Sequence, residues 1–472
     1  QHAPKIVTDA NNGAIICWYD ERNGSNTFDI YAQRIDMDGF VQWTVNGNAV
    51  CNAVNSQLDP EMISDGAGGA IIVWTDARNG DNDIYAQRID GNGNVLWATD
   101  GVALTFDTSN QANPKLVSDG RGGAIITWNQ GTGGFPPGSK IYAQRIDADG
   151  NLRWGSQVLV SGTLRFSNAP SIASDGAGGA YIGYAYYPRP EYDVYAQRID
   201  SSGAVLWAAR GVGIATGSGT QDSPILVADG MGNAFLGYLD WTSGSIPELH
   251  IVVLRPDGTQ AAAFRATSTK GGQSKHSLAN IGPGLLGLAW EDGRTTGKSK
   301  VFAQIIDNTG NKLWTADGVG VSSRSGDQVT PFVTGDGAGG LFLAWEDKTN
   351  GALETDIYAQ RLDATGAPLW PATGVPVGTA PRIQMFPQIL RVGQSDAIMT
   401  WEDFRPSLSN AEIYASKILA NGSFPVALPM LAVSPNSLSF GAVGIGFPST
   451  KNVTLTNTGG QPLTISAITS TD

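Results

Sequence analysis

A pattern of apolar runs separated by glycine turns repeats along the chain, and residues 60–97 show it most clearly. The run AIIVW at residues 70–74 is apolar throughout, which predicts a strand buried on both faces. A DGAGG turn precedes this run, and residues 60–64 before the turn read as a short inner strand. Residues 84–90 alternate β-branched and aromatic residues with polar ones, and a short outer strand is expected to end at Trp97. The unit therefore predicts a four-stranded antiparallel blade with strands A to D.

Two columns of aromatic residues show how often this unit recurs. The residue that ends strand B in each copy is Trp18, Trp74, Trp128, Tyr184, Tyr238, Trp290, Trp345 or Trp401. The second column is Trp43, Trp97, Trp154, Trp207, Phe264, Trp314, Trp370 and Phe424. Twelve of the 13 tryptophans stand in these columns, so tryptophan is first a packing residue here. Eight copies predict an all-β fold, an eight-bladed β-propeller.

The repeat also predicts the domain organisation. Residues 1–427 form the propeller, with blades at about 2–57, 58–111, 112–167, 168–221, 222–275, 276–328, 329–384 and 385–427. Blade 8 is expected to pack on blade 1 without a strand shared between the termini. Residues 428–472 have period-2 strands without the blade signature, which predicts the start of an immunoglobulin-like β-sandwich. That segment is half of what such a sandwich needs, so we expect the natural polypeptide to continue beyond it.

Composition and charge narrow the class of protein. A net charge of −13 and a pI near 4.7 argue against nucleic acid or an anionic membrane surface as a partner. No stretch approaches the roughly 20 apolar residues of a membrane span. A chain that opens at Gln1 is expected to be a processed, mature protein. The pattern leaves open whether Cys17 and Cys51 pair.

The blade motif resembles the TolB-type, WD-like propeller repeats of bacterial envelopes. Asp65-Gly66, Trp74, Asp76, Arg78, Gly80 and Asp83-Ile84-Tyr85 match the family pattern position by position. The spacing from Asp307 to Trp314 resembles the tryptophan-docking motif of eight-bladed quinoprotein-like propellers. The LSFGAVGIG and VTLTNTGGQPLTIS stretches are similar to choice-of-anchor or abnormal-spindle-like immunoglobulin modules. Together these resemblances imply a secreted, periplasmic or cell-surface bacterial protein.

Candidate catalytic chemistry is sparse in the sequence. Only three histidines are present, and there is no nucleophile elbow, zinc-binding HExxH or phosphate-binding glycine loop. We therefore expect no catalytic residues, no metal and no cofactor. Acidic turns such as residues 36–39 and 147–150 suggest calcium only superficially, because they lack the remaining ligands of a calcium loop. In the repeated pair exemplified by Asp76 and Arg78, the aspartate is expected to cap the turn and to bind the arginine.

The best candidate site lies where the repeat breaks. Three successive B-to-C loops depart from the consensus and carry aromatic residues together with an arginine. The candidate ligand-binding residues are Phe135, Tyr186, Tyr187, Arg189, Tyr192 and Trp241. Exposed aromatics of this kind are typical of sugar-stacking or protein-docking patches. The alternative, that these loops bury their own aromatics in small local cores, stays open.

The function expected from the sequence is that of an exported, non-enzymatic propeller serving as a binding or assembly scaffold. Its partner would be a protein or polysaccharide at the cell surface, with self-association through the C-terminal segment as a further possibility. A glycan-active or quinoprotein-like enzyme with its site in the central funnel is the alternative from another class. A self-assembling surface-layer or filament subunit is a third.

Overall fold

The computed structural model describes residues 1–24, 27–105, 108–131, 139–164, 166–188, 190–244, 246–268, 272–294, 297–425, 431–434 and 450–457. The regular elements among these residues are β-strands, and no helix in this part of the chain is long and apolar enough to cross a membrane. The chain divides into two compact units, Gln1–Gly422 and Ser423–Asp472.

The first unit contains eight antiparallel blades whose strands pair in sequence order. Blades 1 to 3 comprise β1 (His2–Thr8), β2 (Ala14–Asp20), β3 (Asp29–Ile35), β4 (Asn48–Cys51); β5 (Gln57–Ser64), β6 (Ala70–Asp76), β7 (Asp83–Ile89), β8 (Val102–Ala103); β9 (Asn110–Ser118), β10 (Ala124–Gly131), β11 (Lys140–Ile146) and β12 (Val158–Leu159). Blades 4 to 6 comprise β13 (Ser167–Ser174), β14 (Ala180–Tyr186), β15 (Asp193–Ile199), β16 (Val212–Ala215); β17 (Gln221–Ala228), β18 (Ala234–Asp240), β19 (Glu248–Leu254), β20 (Gln260–Arg265); β21 (Gln273–Gly282), β22 (Leu285–Asp292), β23 (Lys300–Asp307) and β24 (Val319–Gly320). Blades 7 and 8 comprise β25 (Gln328–Gly335), β26 (Leu341–Asp347), β27 (Asp356–Leu362), β28 (Val375–Gly378); β29 (Gln384–Val392), β30 (Asp396–Ser407) and β31 (Asn410–Ile418).

The blades close into a ring. Each inner strand packs against the inner strand of the next blade, and β29 of blade 8 packs against β1 of blade 1. The amino group of Gln1 donates to the carbonyl of Ala411 at 2.8 Å, and the N–H of Ile413 donates to the Gln1 side chain at 2.9 Å. Blade 1 is formed entirely by β1 to β4, so closure by packing without a shared strand is confirmed. The predicted eight-bladed β-propeller is confirmed as well.

Strand B forms the centre of each blade. In blade 2 it is buried along its whole length from Ala70 to Asp76. The buried carboxylate of Asp76 accepts a hydrogen bond from the indole of Trp74 at 2.8 Å. It also forms an ion pair with Arg78, whose guanidinium nitrogen lies 2.6 Å away. The Arg78 guanidinium also lies 3.9 Å from the ring centre of Tyr85. These contacts satisfy a buried charge that would otherwise be costly, and they agree with the expected role of the Asp and Arg pair.

Seven residues of the second aromatic column each join their blade to the next. Trp97 of blade 2 packs against Gly150 in the C-to-D turn of blade 3, and its indole N–H donates to the carbonyl of Ala148 at 3.0 Å. Arg88 of blade 2 donates to the same carbonyl at 3.1 Å. The equivalent aromatic and glycine pairs are Trp43 and Gly93, Trp154 and Gly203, Trp207 and Gly258, Phe264 and Gly310, Trp314 and Gly366, and Trp370 and Gly422.

The position of the outer strand differs from the prediction. Strand D was expected to end at Trp97, but β8 begins after it, at Val102. The residues before Trp97 make one isolated bridge, between Ile89 and Val95. The reason is that Trp97 turns away from its own sheet to reach blade 3, so the chain must bend before it can pair again.

The second unit is described only in part. β32 (Leu431–Ser434) pairs antiparallel with β33 (Thr454–Asn457).

Both cysteines of the chain, Cys17 and Cys51, lie in blade 1 as buried free thiols.

The tryptophan contact predicts different costs for two matched glycine substitutions. Gly150 (φ +85°) lies so close to Trp97 that an added Cβ would be 2.8 Å from the indole. Gly80 (φ +97°) has no atom within 4 Å of that position. Both alanine variants should lose about 1–2 kcal/mol because of the left-handed backbone. Gly150→Ala should lose about 1–3 kcal/mol more through overpacking.

Urea denaturation of the two variants beside the wild type measures this difference. Equal unfolding midpoints for Gly150→Ala and Gly80→Ala would mean that the tryptophan does not hold the blades together in this way.

Candidate functional site

Every inner strand contains a kink near its start. The pairing of each A strand with its B strand skips at this point, and one residue takes a positive φ of 38–55°. We call these eight residues the bulge residues: Ala3, Asp59, Asn113, Ala169, Ser223, Lys275, Thr330 and Phe386. None is glycine, so each conformation is strained by about 1–3 kcal/mol. Such strain is typical of functional sites.

The kink turns the backbone N–H of the bulge residue towards the preceding blade. In three consecutive blades that N–H is bound by a buried glutamate at the end of strand B. Glu291 accepts from Thr330 at 2.8 Å, Glu346 from Phe386 at 3.0 Å and Glu402 from Ala3 at 2.6 Å. Each of these glutamates is at most 6% exposed. A carboxylate therefore fits the bulge N–H, and the protein uses this interaction three times.

The other five blades have no carboxylate at the corresponding position. The residue after the strand-B aromatic is Tyr19, Thr75, Asn129, Ala185 or Leu239 in blades 1 to 5. These residues precede the bulges at Asp59, Asn113, Ala169, Ser223 and Lys275.

One cavity of the funnel lies in this sector. By funnel we mean the space enclosed by the eight inner strands. The cavity has a volume of about 710 Å³ and is lined by the bulges of blades 3 to 6. Its side chains include the amides of Asn113 and Asn168 and the indole of Trp241. Among the described lining residues, the charged side chains are Lys115 and Lys275.

The two lysines are held by glutamates of the funnel wall. Lys115 binds the carboxylate of Glu61, which also accepts a hydrogen bond from Lys5 at 3.1 Å. The ammonium of Lys275 lies 3.7 Å from the carboxylate of Glu291, and the Lys275 side chain is 64% exposed. Lys275 therefore connects the open cavity with the group of buried glutamates.

Glu291 and Glu346 lie on either side of Thr330. Glu291 binds the Thr330 N–H, and the Thr330 side chain contributes a hydrogen bond to Glu346. Burial raises the pKa of Glu346 above its usual value, and the hydrogen bond from the Phe386 N–H opposes this only in part. Lys275 lies beside Glu291 and also acts on Glu346, where it opposes the effect of burial on the pKa. Two buried carboxyl groups on either side of one residue are an arrangement suited to acid–base chemistry.

Of the predicted site residues, Trp241 lies in the cavity wall. Its indole N–H donates to Asp222 at 3.3 Å, and its ring packs against the core shared by blades 5 and 6. The Trp241 side chain therefore packs on the core and also lines the cavity.

The tyrosines of the blade 4 loop contact one another. Tyr187 and Tyr192 have ring centres 4.6 Å apart, and Tyr186 meets Tyr195 edge to face at 5.8 Å. These contacts favour the local-core alternative for this loop. Phe135 and Arg189 lie outside the described residues.

Sequence reasoning missed the glutamates and the unusual inner strand of blade 6. The signal was present: the strand-B aromatic is followed by Glu and Asp only in blades 6 to 8. The bulge residue is followed by proline in seven blades but by His276 in blade 6. Aligning the copies on the inner-strand proline would have shown both departures.

Comparisons with known proteins find similarity to solved structures alone. No protein-family model matches the chain, and no curated protein matches it either. Among solved structures, Hadza microbial sialidase Hz136 is 13% identical, with a TM-score of 0.39 over 71% of this chain and 73% of its own. The α-L-arabinofuranosidase Arb93A of Fusarium graminearum is 13% identical, with a TM-score of 0.38 over 64% and 92%. A prolyl endopeptidase is 13% identical, with a TM-score of 0.45 over 74% and 45%.

These comparisons correct one expectation. The chain was expected to be a non-enzymatic scaffold, and this interpretation is contradicted because the three similar structures named above are enzymes. At such low identity the likeness itself shows only the fold. The physical reason for the error is that the search for chemistry considered histidines and linear motifs. Carboxylates converging in the funnel were expected of an enzyme, but linear motifs do not show that Glu291 and Glu346 lie on either side of Thr330.

His276 provides a test of the funnel wall through pH. Burial lowers the pKa of His276 to about 4, so the folded protein holds the ring neutral while the unfolded chain protonates it near pH 6.5. Its contribution to stability is complete above pH 6.5 and is lost as the pH falls towards 4, about 3 kcal/mol in all. His276→Pro restores the residue of the other seven blades and should remove this part of the pH dependence.

The measurement is the melting temperature of wild type and His276→Pro at pH 7.5 and pH 4.5. Between pH 7.5 and pH 4.5 the melting temperature of the wild type should fall further than that of His276→Pro. An identical shift with pH in both proteins would show that His276 is not buried in the neutral form.

Proposed function

We propose that the protein is a glycan-active enzyme whose active site is the funnel. The observation that carries this proposal is the pair of buried carboxyl groups, Glu291 and Glu346, on either side of Thr330. Glu291 lies 3.7 Å from Lys275, which lines a cavity that also contains an indole and amide side chains. A pair of carboxyl groups, one acting as the acid and the other as the base, is the usual requirement for glycoside hydrolysis.

The cavity has the chemistry of a sugar site. The apolar face of a sugar ring can stack on the Trp241 indole, while its hydroxyl groups bond to the side chains of Asn113 and Asn168. The exposed ring of Phe386, which is 50% accessible at the bulge beside Glu346, offers a second stacking surface. The substrate class that fits these groups is an oligosaccharide or polysaccharide.

The proposed reaction is hydrolysis of a glycosidic bond. Glu346 donates its proton to the glycosidic oxygen as the bond from that oxygen to the anomeric carbon breaks. A water molecule attacks the anomeric carbon, and Glu291 accepts the proton that the water loses. Proton exchange with solvent then restores Glu346 to the acid form and Glu291 to the carboxylate.

The cellular setting is also a proposal. Resemblance of the blade motif to TolB-type repeats supports an exported protein of a bacterial envelope or cell surface, where polysaccharides are abundant. The antiparallel pairing of β32 with β33 is compatible with an immunoglobulin-like module after the propeller.

Replacing the proposed acid tests this function. Glu346→Gln should lower kcat on an accepted polysaccharide by about 10²–10⁴-fold, because the amide cannot donate a proton to the leaving oxygen. A panel of polysaccharides assayed for new reducing ends supplies the measurement.

Glu354→Gln is the matched control, because it makes the same chemical change in the same blade on an exposed loop residue. Its kcat should equal that of the wild type. The assignment fails if Glu346→Gln keeps full activity, and the enzymatic proposal fails if the panel yields no new reducing ends.

A further inference from the structure

The funnel contains a repeated recognition element that is filled in some blades and open in others. In blades 7, 8 and 1 the bulge N–H is occupied by a glutamate carboxylate from the preceding blade. In blades 4, 5 and 6 the same kink is present at Ala169, Ser223 and Lys275, but the preceding blade supplies Asn129, Ala185 or Leu239. The cavity lies against these three open bulges.

We propose that this sector binds a carboxylate of the substrate, so that the glycan is acidic, as in a uronic-acid-containing polysaccharide. This inference rests on the proposed function and specifies its substrate class. The substrate carboxylate takes the place that Glu291, Glu346 and Glu402 take in the other blades.

The register of the strands identifies where the space for this carboxylate is greatest. Glu346 pairs with Val329, the residue just before the bulge at Thr330. Ala185 pairs with Asn168, just before the bulge at Ala169, and so holds the equivalent place in blade 4. Its side chain is a single methyl group where blade 7 has a full glutamate. The N–H of Ser223 in the next blade is therefore the open counterpart of the N–H of Phe386.

Charge favours an anion at this place. The whole chain carries a net charge of −13, yet the charged side chains among the described residues of the cavity are Lys115 and Lys275. Lys275 lies 3.7 Å from Glu291 and also interacts electrostatically with Glu346, and its largely exposed side chain has further N–H donors for a carboxylate of the ligand. A backbone N–H together with an ammonium is a strong combination for a carboxylate.

An acidic peptide also carries carboxylates, but the rest of the cavity fits a sugar better. An indole wall beside two carboxamide side chains matches the apolar face and the hydroxyl groups of a pyranose. We therefore assign the carboxylate to a glycan.

The experiment places an internal carboxylate in the open position. Ala185→Glu should copy the arrangement of Glu346 and compete with the ligand, whereas Ala185→Gln has the same size without the charge. The probes are a uronic-acid oligosaccharide and the same oligosaccharide after reduction of its carboxylates to alcohols. Binding is measured by calorimetry with the full chain.

The wild type should bind the acidic probe at least about tenfold more tightly than the reduced probe. Ala185→Glu should lose at least about tenfold in affinity for the acidic probe relative to Ala185→Gln. Because Ala185 is buried, Lys275→Gln serves as a second variant should neither Ala185 variant fold. It should weaken binding of the acidic probe and leave that of the reduced probe unchanged.

Equal affinity for the two probes, equal affinity of the two Ala185 variants, or tighter binding of an acidic peptide would each overturn the inference. Binding of the acidic probe without hydrolysis contradicts only the enzymatic proposal. Hydrolysis confined to neutral glycans contradicts only the assignment of an acidic substrate.

Discussion

The funnel depends on a kink that each of the eight inner strands repeats. One residue per blade takes a left-handed conformation, followed in seven blades by proline, although a residue before proline normally prefers extended backbone. The strain is tolerated because pairing with strand B continues on both sides of the kink and because the neighbouring inner strands confine it. In blades 7, 8 and 1 its consequence is a backbone N–H that points out of its own sheet towards a glutamate of the preceding blade. Such groups must be satisfied by something other than the ladder.

The blades hold these groups in fixed positions. Trp97 and its counterparts pack on a turn glycine of the next blade, and the tryptophans among them also donate to a carbonyl of the same turn. One aromatic residue thus couples two sheets by both packing and hydrogen bonding. Sites built on such strands are more precisely placed than sites on loops. A carboxylate from one blade can therefore reach the bulge of the next with the same geometry three times, as Glu291, Glu346 and Glu402 do.

The sequence predicted the architecture well, because the aromatic columns must recur once in each blade to be buried. It misplaced strand D, because the pattern does not show that Trp97 packs on the neighbouring blade and not on its own sheet. The funnel site was beyond reach for a similar reason. Glu291 and Lys275 are 16 positions apart on paired strands of blade 6, and Glu346 lies in blade 7, so the strand register and the packing of adjacent blades make them neighbours. Trp241 could be found as the one tryptophan outside the two columns, although its contribution to the cavity wall could not.

A crystal structure of the protein with a bound uronic-acid oligosaccharide tests the account most directly. A sugar carboxylate oxygen should lie about 3 Å from the N–H of Ala169, Ser223 or Lys275, with a sugar ring against Trp241. A ligand bound on the outer strands, or one whose carboxylate faces solvent while these N–H groups stay unbound, would contradict it.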